Sequence, residues 1–165
     1  MPIITQNILR FIFLVLAQIF VLNKIQFLGY LNPYLYILFI LALPVRVPQW
    51  VTLLLAFVLG LTIDTFSNTM GLHAFAAVFM AFFRFPVIKL IVTVDERLNP
   101  SPSFHTFGIT NYLKYALILV AIHHVVLFFM EAFSFAHVGM LLLRILLSVL
   151  VTSMLIAAIQ LLKKE

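Results

Sequence analysis

The chain contains no cysteine, so disulfides, thiolate metal sites and thiol catalysis are excluded. Charge is almost as scarce: 9% of its 165 residues are Asp, Glu, Lys or Arg, against about 25% in an ordinary soluble domain. Only five of these are acidic, which leaves few catalytic designs based on paired carboxylates. There is no HExxH, no Gly-x-Ser-x-Gly, no P-loop and no Asp cluster for a metal–phosphate site. These absences point away from an enzyme, and no cofactor is expected.

What is abundant is apolar surface. Hydrophobic residues make up 65% of the chain, 18 of them Phe, and mean hydropathy is +1.22. Too few polar residues remain to cover the outside of a soluble fold. A soluble enzyme, a DNA-binding domain and a disordered chain are thereby excluded, and an integral membrane protein remains. Transmembrane barrels alternate apolar and polar residues, whereas this chain has unbroken apolar blocks. The expected fold is all-α: one polytopic membrane bundle of five to six helices, residues 1–165, similar in size and helix number to the substrate-binding subunits of energy-coupling transporters. The net charge of +5 fits Lys and Arg flanking helices on the cytoplasmic side rather than nucleic-acid binding. Arg10 interrupts the first apolar run and no small-residue cleavage site follows, so the start does not read as a signal peptide.

The blocks predict helices over about 3–22, 31–43, 50–66, 72–92, 112–133 and 138–162, with a polar loop over 93–111. The second block has 13 residues, which rise only about 20 Å as a helix against a core of roughly 30 Å. It reads either as a helix extended by Phe27–Tyr30 or as a half-helix. With six crossings, Arg10, Arg46, Arg84, Lys89, Arg97, Lys114, Lys163 and Lys164 fall inside and Lys24 outside. With five, Arg10 and Lys24 exchange sides. Both arrangements make the 93–111 loop and the C-terminus cytoplasmic, and the turns at 67–71 and 134–137 external. Pro86 is expected to kink or end the fourth helix, leaving residues 87–92 along the interface.

Ionisable residues at membrane depth need a reason, since each costs about 2.5–3.5 kcal/mol at the bilayer centre. Thr52, Ala56, Gly60 and Asp64 recur every four residues and form a small-residue face suited to close helix approach. Asp64 either anchors a polar contact at the end of that face or caps the turn after it. Arg144, Ser148 and Thr152 form a second polar face, with His137 preceding it. Arg144 is expected to pair with Asp64 or Glu131 rather than to snorkel. His123 and His124 point about 100° apart on a helix and cannot chelate one metal from one face. With His73, which starts a stripe with Ala77 and Ala81, they read as packing histidines in preference to a proton relay. Gln18 reads as an interhelical hydrogen bond.

The stretch over residues 41–75 resembles the rod shape-determining protein MreD family. The matching positions are Leu43, Pro44 and Arg46 after a short second helix, then Gly60 and Asp64, then Ser67 and Gly71 in the turn. Asn68 and Met70 depart from the small residues more typical there. The resemblance implies a non-enzymatic inner-membrane scaffold of the machinery that elongates the peptidoglycan wall. It implies association with MreC, and through it with the MreB filament system, a RodA-type glycosyltransferase and a penicillin-binding transpeptidase. The face of Thr52, Ala56 and Gly60 would then be the candidate seam for a partner helix, and the basic loop would meet anionic lipid or a cytoplasmic partner. The alternative is a vitamin-binding subunit of an energy-coupling transporter, with Asp64, Glu131 and Arg144 reaching a solute near the outer face. Ala17 is the only alanine of the first helix, which is few for docking a transporter partner.

Overall fold

The computed structural model describes residues 3–24, 32–92, 100–132 and 138–162. Among these the chain is all-helical. Five helices are long and apolar enough to cross a membrane, so this is a multi-pass membrane protein. They are α1 (Ile3–Phe20), α3 (Gln49–Ser67), α4 (Leu72–Ile91), α6 (Ile109–Ala132) and α7 (Val138–Leu162). Two single-turn α-helices, α2 (Leu38–Leu41) and α5 (Phe104–Phe107), complete the set. α4 packs on both α3 and α6, α7 on α6, and α1 on α3 and the segment around α2.

Of the two readings of the second predicted helix, the structure is nearer the half-helix, and the full helix over 31–43 is corrected. Of residues 31–43, Leu31 lies outside the described residues. Only a 3-10 turn, Leu35–Ile37, and α2 are helical. Asn32, Pro33 and Tyr34 are irregular, and Pro44 ends the segment. Seven helical residues rise only about 10 Å or a little more, too little to span alone. The segment is instead the centre of the core: every residue from Leu35 to Leu43 is buried. It runs antiparallel to α1, from Gln18 at its start to Arg10 at its end. Among the described residues, five long helices and this one short segment run along the bundle.

Pro86 does not end α4. The helix continues to Ile91, and Val87 and Ile88 are buried in the core rather than lying along an interface. A membrane-embedded helix tolerates an internal proline because packed neighbours compensate the lost bond. The predicted loop 93–111 is also shorter than expected. α6 begins at Ile109, and α5 forms behind a capping box in which Ser103 and Thr106 exchange hydrogen bonds. The Val45 N–H donates to the Pro100 carbonyl (3.1 Å), tying this connection to the end of the short segment. Residues 93–99, the turn 134–137 with His137 that was expected on the outside, the extension Phe27–Tyr30, and Lys163 and Lys164 lie outside the described residues.

Candidate functional site

Polar interior groups gather at the two ends of the short segment. Backbone N–H and C=O groups inside a membrane protein must find partners, since no water is there to replace them. At the start of the segment the exposed groups are N–H donors, and the chain meets them with acceptors. Gln18 Oε1 accepts from the Leu35 N–H (2.8 Å) and the Tyr36 N–H (3.4 Å), while its Nε2 donates to the Pro33 carbonyl (3.0 Å) and to Asn23 (2.9 Å). Thr152 accepts from the Tyr34 N–H (3.2 Å) and Ser148 from the Asn32 N–H (3.4 Å). Gln18 thus makes its hydrogen bonds to backbone of the segment and to Asn23, rather than bridging two full helices.

At the far end the free groups are carbonyls, and the chain meets them with donors. The Arg84 guanidinium donates to the Leu43 carbonyl and, at 3.5 Å, to that of Pro44. Arg84 also bonds the Tyr115 hydroxyl (3.2 Å), which itself donates to the Leu41 carbonyl (2.9 Å). Arg10 donates to the Ala42 carbonyl (3.2 Å). These are the carbonyls that a helix C-terminus leaves unsatisfied, where a cation also meets the negative end of the backbone dipoles. Arg84 is only 3% exposed, so it is an interior residue rather than the flanking charge that was expected. Its signal in the sequence is its place twelve residues after Leu72, with apolar residues on both sides.

The face of Thr52, Ala56, Gly60 and Asp64 is fully buried, and α4 covers it. A Cβ at Gly60 would lie 2.4 Å from the Ala74 Cα and 2.6 Å from the His73 carbonyl oxygen. The predicted partner seam is therefore closed by the chain itself, through Ala74, Ala77 and Ala81, and has no room for another protein's helix. Asp64 ends this contact and caps α4 at the same time. Its carboxylate accepts the N–H groups of His73 (3.0 Å) and Ala74 (2.9 Å), two of the open donors in the first turn of α4. It also accepts from Thr69 Oγ (2.5 Å) and His73 Nδ1 (3.0 Å). The two expected readings of Asp64, seam anchor and turn cap, describe one arrangement. The turn itself uses Asn68 (φ 56°) and Gly71 (φ 81°) in the left-handed region.

Arg144 lies 3.2 Å from Glu131 and over the Phe128 ring at 4.3 Å, while Asp64 is engaged by His73. Ser148 and Thr152 reach the short segment instead. The three histidines surround Tyr34, with ring centroids 5.4 Å (His73), 5.9 Å (His123) and 5.5 Å (His124) away. His124 Nδ1 donates to the Val120 carbonyl (2.8 Å), so its Nε2 accepts from the Thr152 hydroxyl (3.2 Å). His123 Nε2 meets the Tyr36 hydroxyl at 2.6 Å, and its Nδ1 has no partner among the described residues. No group of three potential metal ligands exists among the described residues.

A polar cavity of about 310 Å³ opens beside this cluster, lined by Gln18, Asn23, Asn32, Tyr34, His73 and Glu131 among others. Asn23 closes one side by donating to Ser67 (3.1 Å), so the turn after α3 and the end of α1 are joined there. Comparison with protein-family models, with curated proteins and with solved structures gives no match.

Proposed function

We propose that this chain is a non-enzymatic scaffold of the MreD type in a bacterial inner membrane, holding MreC and neighbouring cell-wall synthases in register. The observation that carries this reading is how the interior polar groups are used. Gln18, Arg84, Tyr115, Ser148, Thr152 and Asp64 all bind the chain's own backbone, which suits a rigid support. The resembling positions support it too, because they fall at points that fix the fold. Leu43 and Pro44 offer the carbonyls that Arg84 holds. Gly60 and Asp64 make the closest approach of α3 to α4, and Ser67 and Gly71 form the turn between them. The partner surface then moves from the closed Gly60 face to outward apolar faces, above all that of α1, where Ile8, Leu9, Ile12, Phe13 and Leu16 are exposed.

The end carrying Arg10, Arg46, Lys89 and Lys114 faces the cytoplasm on this reading, by the excess of Lys and Arg there. Six passes put both chain ends on that side. Association with the MreB filaments, the RodA-type glycosyltransferase and the penicillin-binding transpeptidase follows through MreC or by direct contact. An affinity pull-down from mild detergent tests the proposal. Recovery of MreC with the synthases is the expected result, and its loss on Phe13→Arg with an unchanged melting temperature would place the contact on α1.

The polar cavity favours a second reading, a small-molecule-binding subunit of an energy-coupling transporter. Tyr34, Asn32, Asn23, His73 and Glu131 offer both donors and acceptors to a polar solute. Recovery of ATPase subunits with a retained small molecule, and no MreC, would replace the scaffold by this reading.

A further inference from the structure

The walls of the polar cavity beside the histidine cluster select one sign of ligand charge. Gln18, on its wall, is saturated: both amide hydrogens go to Asn23 and the Pro33 carbonyl, and its oxygen accepts from Leu35 and Tyr36. His73 and Tyr34 are not saturated, although they are only 5% and 7% exposed. His73 Nδ1 lies 3.0 Å from Asp64 Oδ1 and 3.1 Å from the Thr69 hydroxyl. Thr69 already gives its proton to Asp64, and a carboxylate only accepts, so the proton on Nδ1 belongs to the histidine. That fixes the tautomer, and Asp64 holds the ring in place. Nε2 of the neutral ring is then a bare acceptor, with no partner among the described residues, on a side chain that lines the cavity. The Tyr34 hydroxyl accepts from Asn32 Nδ2 at 3.5 Å, and its own proton has no acceptor among the described residues.

Among the described walls Glu131 is the only carboxylate, and no Lys or Arg lines them. Arg144 contacts both Glu131 oxygens (3.3 and 3.2 Å), but a carboxylate has about four acceptor sites, so capacity remains. An anion finds no cation on these walls. A protonated amine finds two acceptors for its N–H groups and the face of an aromatic ring for its charge. We propose that this cavity binds a primary ammonium group, held by Glu131 and His73 Nε2, with the Tyr34 hydroxyl donating to an oxygen next to the amine. The proposal rests on the ligand site of the second reading and names its ligand class, but it does not need the ATPase subunits of a transporter. A free amino alcohol and the ethanolamine headgroup of a lipid both present this chemistry.

The test uses the full chain, delipidated in detergent. Ethanolamine, ethylene glycol and acetate are each titrated against thermal unfolding. Phosphatidylethanolamine and phosphatidylglycerol are offered in equal amounts, with retained lipid read by native mass spectrometry. Ethanolamine should raise the melting temperature, and ethylene glycol, which lacks the ammonium, should not. Binding should move the nitrogen NMR resonance of His73 Nε2 and leave that of His105, at the arginine end, where it is. Glu131→Gln should weaken binding about tenfold, as one charge-assisted hydrogen bond is lost, and Tyr34→Phe about threefold. In neither variant does the lost group hold backbone, so the melting temperature without ligand should stay. A response to ethanolamine assigns the free amine as a sufficient ligand. Retention of phosphatidylethanolamine over phosphatidylglycerol without that response assigns the lipid headgroup, and either result supports the site when Glu131→Gln weakens it. Stabilisation by acetate, equal effects of ethanolamine and ethylene glycol, a His73 resonance that stays still, or binding untouched by both variants overturns the proposal. So does the absence of both an ethanolamine response and a preference for phosphatidylethanolamine. ATPase subunits recovered with a bound molecule that carries no amine would overturn it and leave the transporter reading standing; ethanolamine binding without ATPase subunits would do the reverse.

Discussion

The two ends of the short segment solve opposite problems with opposite chemistry. Its beginning presents N–H groups, and an amide oxygen and two hydroxyls accept them: Gln18, Thr152 and Ser148. Its end presents carbonyls, and two guanidinium groups and a phenol donate to them: Arg84, Arg10 and Tyr115. Chain direction alone decides which residue type belongs where. The acceptor end is built from uncharged groups that tolerate the interior, whereas the donor end carries formal charge. The donor end is therefore the costlier to disturb, because removing a partner there strands carbonyls beside a buried cation.

Arg84→Leu should break the comparison most strongly. It leaves the Leu43 and Pro44 carbonyls without their donor and removes a partner of Tyr115, costing about 3 kcal/mol or more in a detergent unfolding titration. A loss smaller than that of the next variant would show that charge is not what distinguishes the ends. Gln18→Leu should cost about 2 kcal/mol, since three backbone bonds go with one neutral side chain. Thr152→Val keeps the shape and removes the acceptor of the Tyr34 N–H and the donor to His124, for about 1 kcal/mol by the same titration. Glu131→Gln should be nearly silent, under about 0.5 kcal/mol, because its pair with Arg144 is partly open to the surroundings and holds no backbone. A large effect there would mean that the pair, and not the short segment, organises the histidine end.

The long helices are legible because length and apolar content decide them: α3 and α4 agree with the expected bounds to within a residue or so, and α7 fills the described part of its range. The short segment was not, because block counting measures apolar length and the segment's identity lies in its hydrogen bonds to remote residues. Tyr34 and Thr152 meet across 118 positions, and no local pattern announces that. The spacing of Thr52, Ala56, Gly60 and Asp64 correctly implied close helix approach but could not say whose helix approaches; the turn at Asn68–Gly71 brings α4 back before any partner can. Asp64 and His73 are nine residues apart across that turn, a distance at which helical periodicity has already been interrupted. Arg84 was read as a flanking charge because Lys and Arg usually are, although its apolar neighbours on both sides were the signal of an interior role.

The order in which the chain is made now has a constraint. When residues 32–45 leave the ribosome, Gln18 and Arg10 are already made but the other groups that satisfy their backbone are not: Arg84 follows Leu43 by 41 residues, Tyr115 follows Leu41 by 74, and Ser148 follows Asn32 by 116. Inserted alone, the segment would leave those N–H and C=O groups bare in hydrocarbon. Its full set of partners is therefore complete only once α4, α6 and α7 have followed it. The first helix supplies the segment's earliest partners and the last helix its latest, so the two ends of the chain close the same core.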